Sequence, residues 1–418
     1  MIDYLRYWRD MVGYALRGSA LYLGWLGLLV AGVVVGGLAY SHQLDVGLGV
    51  SNLSDQVSWG AYIANFTFLV GVAAAAVLLV VPTYIYGRKD IKQVVLIGEL
   101  MAVSAMVMCM LFVTVDLGRP DRVLHLAPGV GRLNFPRSIL AWDVIVLSIY
   151  LLINMHVPGY LLYKRYHSQE PSKRYYLPLV LLSILWAVSI HTVTAFLYSG
   201  LGGRPFWNTA ILAPRFLVSA FASGPALLLL ALSIVRRYGV LPVQESVFQY
   251  LSRIIAFALP ANFFLLGCEL FAEFYMGTAH TASAEYLFFG FHGHGMLVPY
   301  IWSGLAMGMV AMVIFVVPSL REHPVLSRVG AVLCIVGVWI EKGMGLIIPG
   351  FFPSQSGDLV EYGPSWTEGL VCLGIWSLGA LLFTLFVRVA SAIQQGELRA
   401  EGADRSPSIP ASPPAPAE

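Results

Sequence analysis

The sequence is poor in charge. Asp, Glu, Lys and Arg make up 11% of the 418 residues, whereas hydrophobic residues make up 58% and the mean hydropathy is +0.75. Because a soluble domain has about 25% charged residues, a water-soluble protein of this size is excluded. Apolar runs of about 20 residues recur, each long enough to cross a hydrocarbon core roughly 30 Å thick. The sequence predicts an integral membrane protein that contacts lipid, with no nucleic-acid partner.

Cysteine is scarce as well. There are four cysteines, each in a different apolar segment: Cys109, Cys268, Cys334 and Cys372. None forms a Cys-x-x-Cys pair, so an iron–sulfur cluster, a zinc site or a covalent haem is not expected. His156 and His191 are the two histidines well inside apolar segments, and their depths differ too much for them to share a haem iron. We expect no metal site, haem or iron–sulfur cluster in this chain.

Ten apolar segments are predicted to be membrane-spanning helices, because they are too long and too uniformly apolar for barrel strands. The predicted spans are 21–41, 58–86, 93–116, 139–164, 177–199, 213–236, 254–277, 291–318, 327–349 and 366–389. Residues 1–20 are predicted to form a cytoplasmic segment and residues 21–390 the transmembrane domain. Residues 391–418, rich in Ala, Pro and Ser toward the end, are predicted to form a disordered cytoplasmic tail.

The positions of Lys and Arg predict the orientation, since cytoplasmic loops carry an excess of these residues. Eighteen of the 25 lie on the side of the chain termini. Six lie in the opposite connections or at their edges: Arg119, Arg122, Arg132, Arg137, Arg204 and Arg215. Lys342 lies inside a span. This distribution predicts an even number of spans in the cytoplasmic (inner) membrane, with both termini in the cytoplasm.

Ionisable residues inside the spans concentrate in the half of the membrane opposite the termini. Charge within hydrocarbon is unfavourable and tends to mark functional residues. Ten such residues from seven spans are predicted near one level: Asp116, Asp143, His191, Arg215, Glu269, Glu273, His292, His294, Glu341 and Lys342. The other half has only Glu99 and His156 at comparable depth, and these either form a second proton branch or merely pack.

Individual residues of this layer allow more than one interpretation. Glu269 and Glu273 are four residues apart and share a helix face. In a low dielectric the two would not both ionise, which suits proton transfer; alternatively, one of them pairs with an arginine. Lys342 is expected to form a structural ion pair with another helix. His191 is either a structural hydrogen-bonding residue or a functional one.

The predicted layer meets the requirements of a quinone site. A quinone head is a flat ring with two carbonyls that accept hydrogen bonds, and its reduction takes up two protons. Its pocket requires apolar walls, hydrogen-bond donors and an acid or base connected to water. Asp116, His191 and Glu269 are predicted to handle protons. Tyr62 and Asn65, three residues apart on the second predicted span, are predicted donors to the carbonyls.

The chain also resembles a known family. The resemblance rests on six segments in this order: WGAYIANFTFLVG, DLGRPDR, NFPRSILAWDV, SIHTVTAF, GGRPFWNTAILAPRFLVSAFASGPA and CELFAEFY. Together they resemble the NrfD/PsrC family of quinone-interacting membrane subunits, in its ten-helix branch, over residues 20–390. Within that branch they are most similar to the DsrP-type subunits of sulfite-reduction-associated complexes, with HmeB- and QrcD-type subunits as alternatives.

The resemblance implies a fold and partners. The second to fifth and sixth to ninth spans would form two four-helix bundles, with the remaining helices flanking them. A quinone, either menaquinone or ubiquinone, would bind in the first bundle beside an extracytoplasmic ferredoxin-like iron–sulfur subunit. Further subunits would be a cytochrome c, a haem b membrane subunit and a cytoplasmic iron–sulfur subunit.

The resemblance also implies site residues. The positions that match those recurring in ten-helix members are Asn65, Asp143, His191, Arg215 and Glu269. Asp116 matches the polysulfide-reductase pattern. The segment AFLYSG stands where relatives in the alternative complex III group have an acidic residue after the histidine motif. This departure weakens the carry-over of a proton-pumping path, and the sequence leaves open whether protons are pumped.

Three functions are compatible with these features. The leading hypothesis is a quinone oxidoreductase subunit in dissimilatory sulfur metabolism, active only within a complex, which exchanges two electrons with an external iron–sulfur partner. The alternative is a secondary transporter of an ion or small anion, since repeated bundles and buried charges also occur in transporters. A third is a structural anchor whose polar groups pair only with each other. Clustering of the charges at one face, away from the midplane, favours the first.

Overall fold

The computed structural model describes residues 2–127, 129–277, 281–354 and 356–400. Ten helices in this part of the chain are long and apolar enough to cross a membrane, and the same residues contain no β-strand. The predicted all-α membrane class with ten spans is therefore confirmed. In chain order, the spans are Ala20–Val46, Ala61–Tyr84, Val95–Asp116, Ile139–Tyr166, Lys173–Ser199, Leu212–Arg237, Glu245–Met276, Val298–Val316, Pro324–Phe351 and Trp366–Gln395.

Two span boundaries differ markedly from the prediction. The seventh span begins at Glu245, nine residues before the predicted start, because the helix continues through polar residues beyond its apolar segment. The eighth span begins at Val298, seven residues late. Gly290, His292 and Gly293 before it have positive φ angles, which are incompatible with a right-handed helix. This stretch forms a turn closed by a bridge between Phe291 and His294.

The spans form two four-helix bundles, as expected. Each of the second to fifth spans packs against the next one along the chain, and the fifth packs back against the second, so that the four form a closed ring. The sixth to ninth spans form a second closed ring in the same way. The two bundles meet where the sixth span packs against the second and fifth. The second span is 94% buried over its most apolar window, so its polar side chains face protein and not lipid. We refer to the two rings as the first and second bundle.

The first and tenth spans flank the first bundle and pack closely against each other. Gly36 and Gly374 lie at their crossing, where a Cβ on Gly36 would stand 2.4 Å from the Gly374 Cα. Small residues permit such close approach of helices in a membrane, where dispersion contacts replace the hydrophobic effect. This pair therefore allows the backbones of the first and tenth spans to pack in direct contact.

Both described ends of the chain lie on one face. The helix Ile2–Ala15 packs its Tyr7 ring against Tyr163 and Tyr166 at the end of the fourth span, with ring centroids 5.1 and 5.0 Å apart. The amide of Ala400 donates to the carbonyl of Tyr166 at 2.9 Å. We call this the terminal face and the other the opposite face. Cytoplasmic location of the terminal face remains a prediction.

The predicted tail is described only in part. The tenth span continues as a helix to Gln395, five residues beyond the predicted end of the transmembrane domain at 390. Residues 401–418 of the tail lie outside the described residues.

The connections after the third and fifth spans are alike. Each contains an arginine followed by a 3-10 helix that begins with proline, Pro120–Leu126 in one case and Pro205–Trp207 in the other. The φ and ψ angles are −134° and 72° at Arg119, and −123° and 84° at Arg204. The Arg204 guanidinium lies 4.4 Å above the Phe351 ring, which ties the second of these connections to the end of the ninth span.

Candidate functional site

Tyr62 connects three spans at the opposite face of the first bundle. Its hydroxyl donates to Gln43 Oε1 of the first span at 2.6 Å. Gln43 Nε2 in turn donates to the carbonyl of Val115 in the third span at 2.7 Å. Both side chains are buried, so this chain of hydrogen bonds is shielded from solvent and lipid. It ends one residue before Asp116.

Asp116 is the last residue of the third span. Its side chain is partly buried, and Oδ1 is inaccessible to solvent with no hydrogen-bond partner in the described part of the chain. A buried acceptor without a partner is unfavourable, and native proteins satisfy nearly all such atoms with protein, water or ligand. Asp116 is therefore available to exchange a hydrogen bond or a proton with a bound molecule.

Glu368 is a buried acid that the sequence analysis missed. It lies in the first turn of the tenth span, where its side chain accepts from the amides of Ser365 at 2.8 Å and Asn52 at 3.1 Å. Ser365 Oγ accepts from the Glu368 amide at 3.2 Å, which completes a capping box. The pattern Ser-x-x-Glu before an apolar run signals this arrangement. Glu368 acts electrostatically on Asp116, so the two acids belong to one region.

Tyr362 bridges Glu368 and the second span. Its hydroxyl donates a short hydrogen bond to Glu368 and accepts one from the Ala61 amide at 2.9 Å. Burial, assisted by the nearby Glu368 carboxylate, raises the pKa of the Tyr362 phenol well above its ordinary value. The phenol therefore remains a donor, and it holds the start of the second span against the tenth.

Asn65 is engaged by protein partners. Its Oδ1 accepts from the indole nitrogens of Trp339 at 3.0 Å and Trp376 at 2.9 Å. Its Nδ2 donates to the Ala61 carbonyl at 2.8 Å and lies 3.6 Å from Cys372 Sγ. Asn65 thus joins the second, ninth and tenth spans. Of the two hydrogens on Nδ2, only the one directed at Cys372 Sγ, a weak acceptor, could instead bind a ligand carbonyl.

A polar stripe crosses the interior of the first bundle. His191, Thr194 and Tyr198 lie on one face of the fifth span, and all are fully buried. Thr194 Oγ1 donates to Asp143 Oδ1 at 2.7 Å, and the Tyr198 hydroxyl lies 2.5 Å from Thr67 Oγ1. Asp143 and Tyr198 therefore have side-chain partners from facing helices.

His191 differs from its neighbours in the stripe. Neither of its ring nitrogens has a side-chain hydrogen-bond partner among the described residues, although the residue is completely buried. The carbonyl of Ala187, one turn earlier in the same span, acts on the imidazole, but no hydrogen bond of normal geometry joins them. His191 and Asp116 are therefore the two predicted site residues in the first bundle with unpartnered buried atoms.

Lys342 extends from the ninth span to the interface of the two bundles. Its Nζ donates to the Phe216 carbonyl at 3.1 Å and lies 4.4 Å above the Phe216 ring. A Cβ on Gly71 would stand 3.4 Å from Nζ, so the ammonium group abuts the second span. It also acts electrostatically on His191. The ion pair expected for Lys342 is not formed within the described chain.

Arg215 and Glu269 lie in the second bundle, apart from Tyr62 and Asp116. Arg215 forms a short ion pair with Glu269 through Nη1 and one of 2.8 Å with Glu341 through Nη2. Asn262 Nδ2 donates to both oxygens of Glu341 at 3.2 and 3.0 Å. Each of these side chains is about nine-tenths buried or more. Of Glu269 and Glu273, which share one helix face, Glu269 therefore forms the ion pair with Arg215.

A local π-helix explains why neighbouring residues serve different bundles. Residues Ile340–Met344 form a π-helical segment within the ninth span. Such an irregularity changes the direction of side chains and is frequent at functional sites. Glu341 turns toward the second bundle and Lys342 toward the first, whereas Gly343 packs where a Cβ would lie 3.3 Å from the Ala64 carbonyl.

A small cavity adjoins the ion pairs of the second bundle. Its volume is about 20 Å³, and its polar lining comprises Arg215, Glu269, Glu273 and Glu341. A cavity needs at least about 10–15 Å³ to hold one water, so this one has room for water and not for a quinone ring. The acids here therefore lie beside a space that can hold water.

The remaining predicted residues lie elsewhere. His292 and His294 belong to the turn before the eighth span, and His294 Nδ1 is 3.5 Å from Glu361 Oε2. Glu99 is buried in the third span, and its Oε2 has no partner in the described chain. His156 is exposed on the fourth span and stacks on Tyr160, so it does not join Glu99. The described residues contain no grouping of three metal-ligating side chains.

These features define a multi-pass membrane protein with buried ionisable groups in two helical bundles. The chain belongs to the NrfD family, since the family model for polysulphide reductase, NrfD, matches residues 49–352. The predicted family resemblance is thus confirmed.

Relatives of known designation cover nearly the whole chain. It is 24% identical to the Hdr-like menaquinol oxidoreductase integral membrane subunit of Archaeoglobus fulgidus, over 91% of this chain and 96% of the relative. It is 23% identical to a putative dimethyl sulfoxide reductase membrane subunit of Halobacterium salinarum, over 92% and 95%. It is 23% identical to the menaquinone reductase integral membrane subunit of Nitratidesulfovibrio vulgaris, over 82% and 85%.

Proposed function

We propose that this chain is the quinone-interacting membrane subunit of a multisubunit redox complex. Two buried groups with unpartnered atoms, Asp116 and His191, carry this proposal. Both lie in the first bundle of a chain that belongs to the NrfD family. Relatives named as membrane subunits of a menaquinol oxidoreductase and a menaquinone reductase support the same function.

The first bundle fits the head of a quinone. When bound, a quinone would itself carry two electrons and two protons. Asp116 and His191 would hold hydrogen bonds or protons at its carbonyl oxygens, since Asp116 Oδ1 and the His191 ring nitrogens form no hydrogen bond with any described residue. Aromatic rings at the opposite face supply apolar walls: Trp59 stacks on Trp207 at 5.7 Å, and Tyr198 and Phe351 meet them edge-on.

The other predicted site residues would act in distinct ways. Tyr62, held by Gln43, would orient a ligand beside Asp116. Asp143, held by Thr194, would accept protons deeper in the bundle. Asn65 would position the second span through its tryptophan partners, with one amide hydrogen left to bind the ligand.

The residues of the second bundle would act on protons. Arg215 has both terminal nitrogens paired with carboxylates, so it would organise these acids. Glu269, beside the water-sized cavity, would handle protons there. Glu273, on the same cavity wall, would share that role.

The partners and setting are part of the proposal. Since the sequence offers no cluster or haem ligands, electrons would be exchanged with an extracytoplasmic ferredoxin-like iron–sulfur subunit docked at the opposite face. The complex would also contain a cytochrome c, a haem b membrane subunit and a cytoplasmic iron–sulfur subunit, and would act in dissimilatory sulfur metabolism. The names of two relatives favour menaquinone as the quinone. The terminal face would be cytoplasmic.

The proposal is tested on the intact complex in its membrane. We expect a quinone-site inhibitor to abolish quinol oxidation or quinone reduction, and Asp116→Asn or His191→Ala to lower turnover by about 10²-fold or more while the complex still assembles. The matched controls are Asp45→Asn and His156→Ala, since both residues are exposed and lie outside the site. Normal turnover in both site variants would place the quinone elsewhere. Solute uptake by proteoliposomes of the isolated chain would support the transporter alternative instead.

A further inference from the structure

A larger cavity lies at the terminal-face end of the second bundle. Its volume is about 290 Å³, and it lies between the end of the sixth span and the starts of the seventh and ninth. Its lining includes four arginines: Arg236, Arg237, Arg321 and Arg328. We call it the arginine cavity. It is far from the residues assigned to the quinone, which lie at the opposite face and within the first bundle.

The arginine cavity is positively charged. Its four guanidinium groups face only two carboxylates in the lining, those of Glu245 and Glu322. Glu245 pairs with Arg236 at 2.7 Å. Arg237, Arg321 and Arg328 form no ion pair with any described residue. Three cationic groups at one cavity therefore lack an anionic partner among the residues that the structure describes.

Two of these arginines are oriented by the backbone. Arg328 Nε donates to the Pro324 carbonyl at 2.7 Å, which leaves its two terminal nitrogens for another acceptor. Arg321 Nη1 makes only long contacts, 3.4 Å, with the carbonyls of Phe315 and Val316. A guanidinium that is fixed through one nitrogen and free at the others is suited to bidentate binding of an oxyanion.

The floor of the cavity adds hydroxyl donors. Ser252 and Ser327 are both buried, and their Oγ atoms are 3.4 Å apart. Ser233 also lines the cavity. Hydroxyl groups below a rim of guanidinium groups provide the donors that phosphate oxygens accept, whereas a carboxylate-lined floor would repel them.

The position of the cavity indicates where its ligand comes from. Arg236 and Arg237 form the last turn of the sixth span, and the ninth span begins at Pro324. Large apolar side chains next to these arginines are exposed: Ile234 is 59% exposed and Val325 is 56% exposed. Exposed apolar groups beside cationic ones are typical of the level where acyl chains meet headgroups, and basic pockets at this level bind anionic lipids.

We propose that the arginine cavity binds a phosphate group, supplied by an anionic phospholipid of the terminal-face leaflet. The guanidinium groups of Arg237 and Arg328 and the two serine hydroxyls hold the phosphate, and the acyl chains lie along the exposed apolar residues of the sixth and ninth spans. Inorganic phosphate shares the headgroup chemistry but does not cover these apolar flanks.

The test measures thermal unfolding of the purified full-length chain in a neutral detergent, with three added probes. The probes are phosphatidylglycerol, phosphatidylcholine and inorganic phosphate. We expect phosphatidylglycerol alone to raise the Tm in a saturable manner. The double variant Arg237→Gln/Arg328→Gln should need about tenfold more phosphatidylglycerol or more for the same rise, because charge-assisted hydrogen bonds are lost.

The matched control is Arg174→Gln/Arg253→Gln, which removes two exposed arginines elsewhere on the same face and should respond as the parent protein does. If the cavity variant does not fold, Arg237→Lys/Arg328→Lys keeps the charge but loses the bidentate geometry and should still bind more weakly. An equal response to phosphatidylcholine, or an unchanged response in the cavity variant, would refute the site. If inorganic phosphate alone gave the full rise in Tm, the proposal that a phospholipid supplies the phosphate group would be overturned.

Discussion

Removal of Arg215 should expose how the buried charges of the second bundle are balanced. Arg215→Met deletes the cation that contacts both Glu269 and Glu341. Glu341 would retain its two hydrogen bonds from Asn262, but Glu269 would lose its ion-pair partner. Loss of one partner from a buried ion pair lowers the free energy of unfolding by about 3–5 kcal/mol. We expect the total loss in the free energy of unfolding to stay in this range although two ion pairs are lost, because a carboxylate left without its partner can take up a proton and lose its charge.

A compensated variant separates charge from packing. Arg215→Met/Glu269→Leu/Glu341→Gln removes all three charges, keeps the approximate volume and leaves an amide oxygen to accept from Asn262. Replacement of a whole buried ion network by apolar groups is often neutral or stabilising. The triple variant should therefore unfold at higher denaturant than Arg215→Met, although it carries three substitutions.

The assay is unfolding of the purified chain in mixed micelles by a rising mole fraction of dodecyl sulfate, followed by tryptophan fluorescence and circular dichroism. Arg119→Met is the matched control, since the Arg119–Asp121 pair is exposed and such pairs contribute little to stability. If the triple variant is as unstable as Arg215→Met, the loss arises from packing and the account of balanced charges is wrong.

Two other substitutions test the packing around the first bundle by the same unfolding assay. Gly36→Ala should lower the free energy of unfolding by about 1–3 kcal/mol through overpacking against Gly374. Gly37→Ala is the control, because open space surrounds Gly37, and it should leave the free energy of unfolding unchanged. Equal effects of the two substitutions would refute the close crossing. Asn65→Leu leaves the indole N–H groups of two tryptophans without an acceptor and should lower the free energy of unfolding by about 2 kcal/mol or more; a neutral result would show that water replaces the amide.

Hydropathy predicts the number of spans well, because a bilayer imposes both their length and their apolar composition. It predicts their ends less well where a helix leaves the membrane. The seventh span continues to Glu245 as a regular helix in polar surroundings, and no apolar signal marks that extension. The start of the eighth span required knowledge of the turn at Phe291–His294, in which His292 and Gly293 have positive φ angles.

The grouping of the polar residues into bundles was not predictable from the sequence. Counting along a span gives the level of a side chain in the membrane, whereas the bundle that it faces depends on the rotation of the helix and on distant partners. Asp116 and Arg215 were therefore assigned to one layer, although Arg215 pairs within the second bundle. Asn65 is likewise bound by Trp339 and Trp376, which are 274 and 311 residues away in sequence.

Two groups of polar residues therefore replace the single layer, and the ninth span joins them. Glu341 belongs to the ion pairs of the second bundle, and Lys342 places its ammonium group against the first bundle, where it acts on His191. Because the two residues are consecutive in one π-helical segment, a movement of the backbone there would shift both side chains. A change of charge at His191 during the proposed quinone chemistry would thus act first on the Lys342 ammonium group. The acids around Arg215 would be affected through the adjacent Glu341, so the proposed proton exchange in the second bundle would have a structural link to the proposed quinone site.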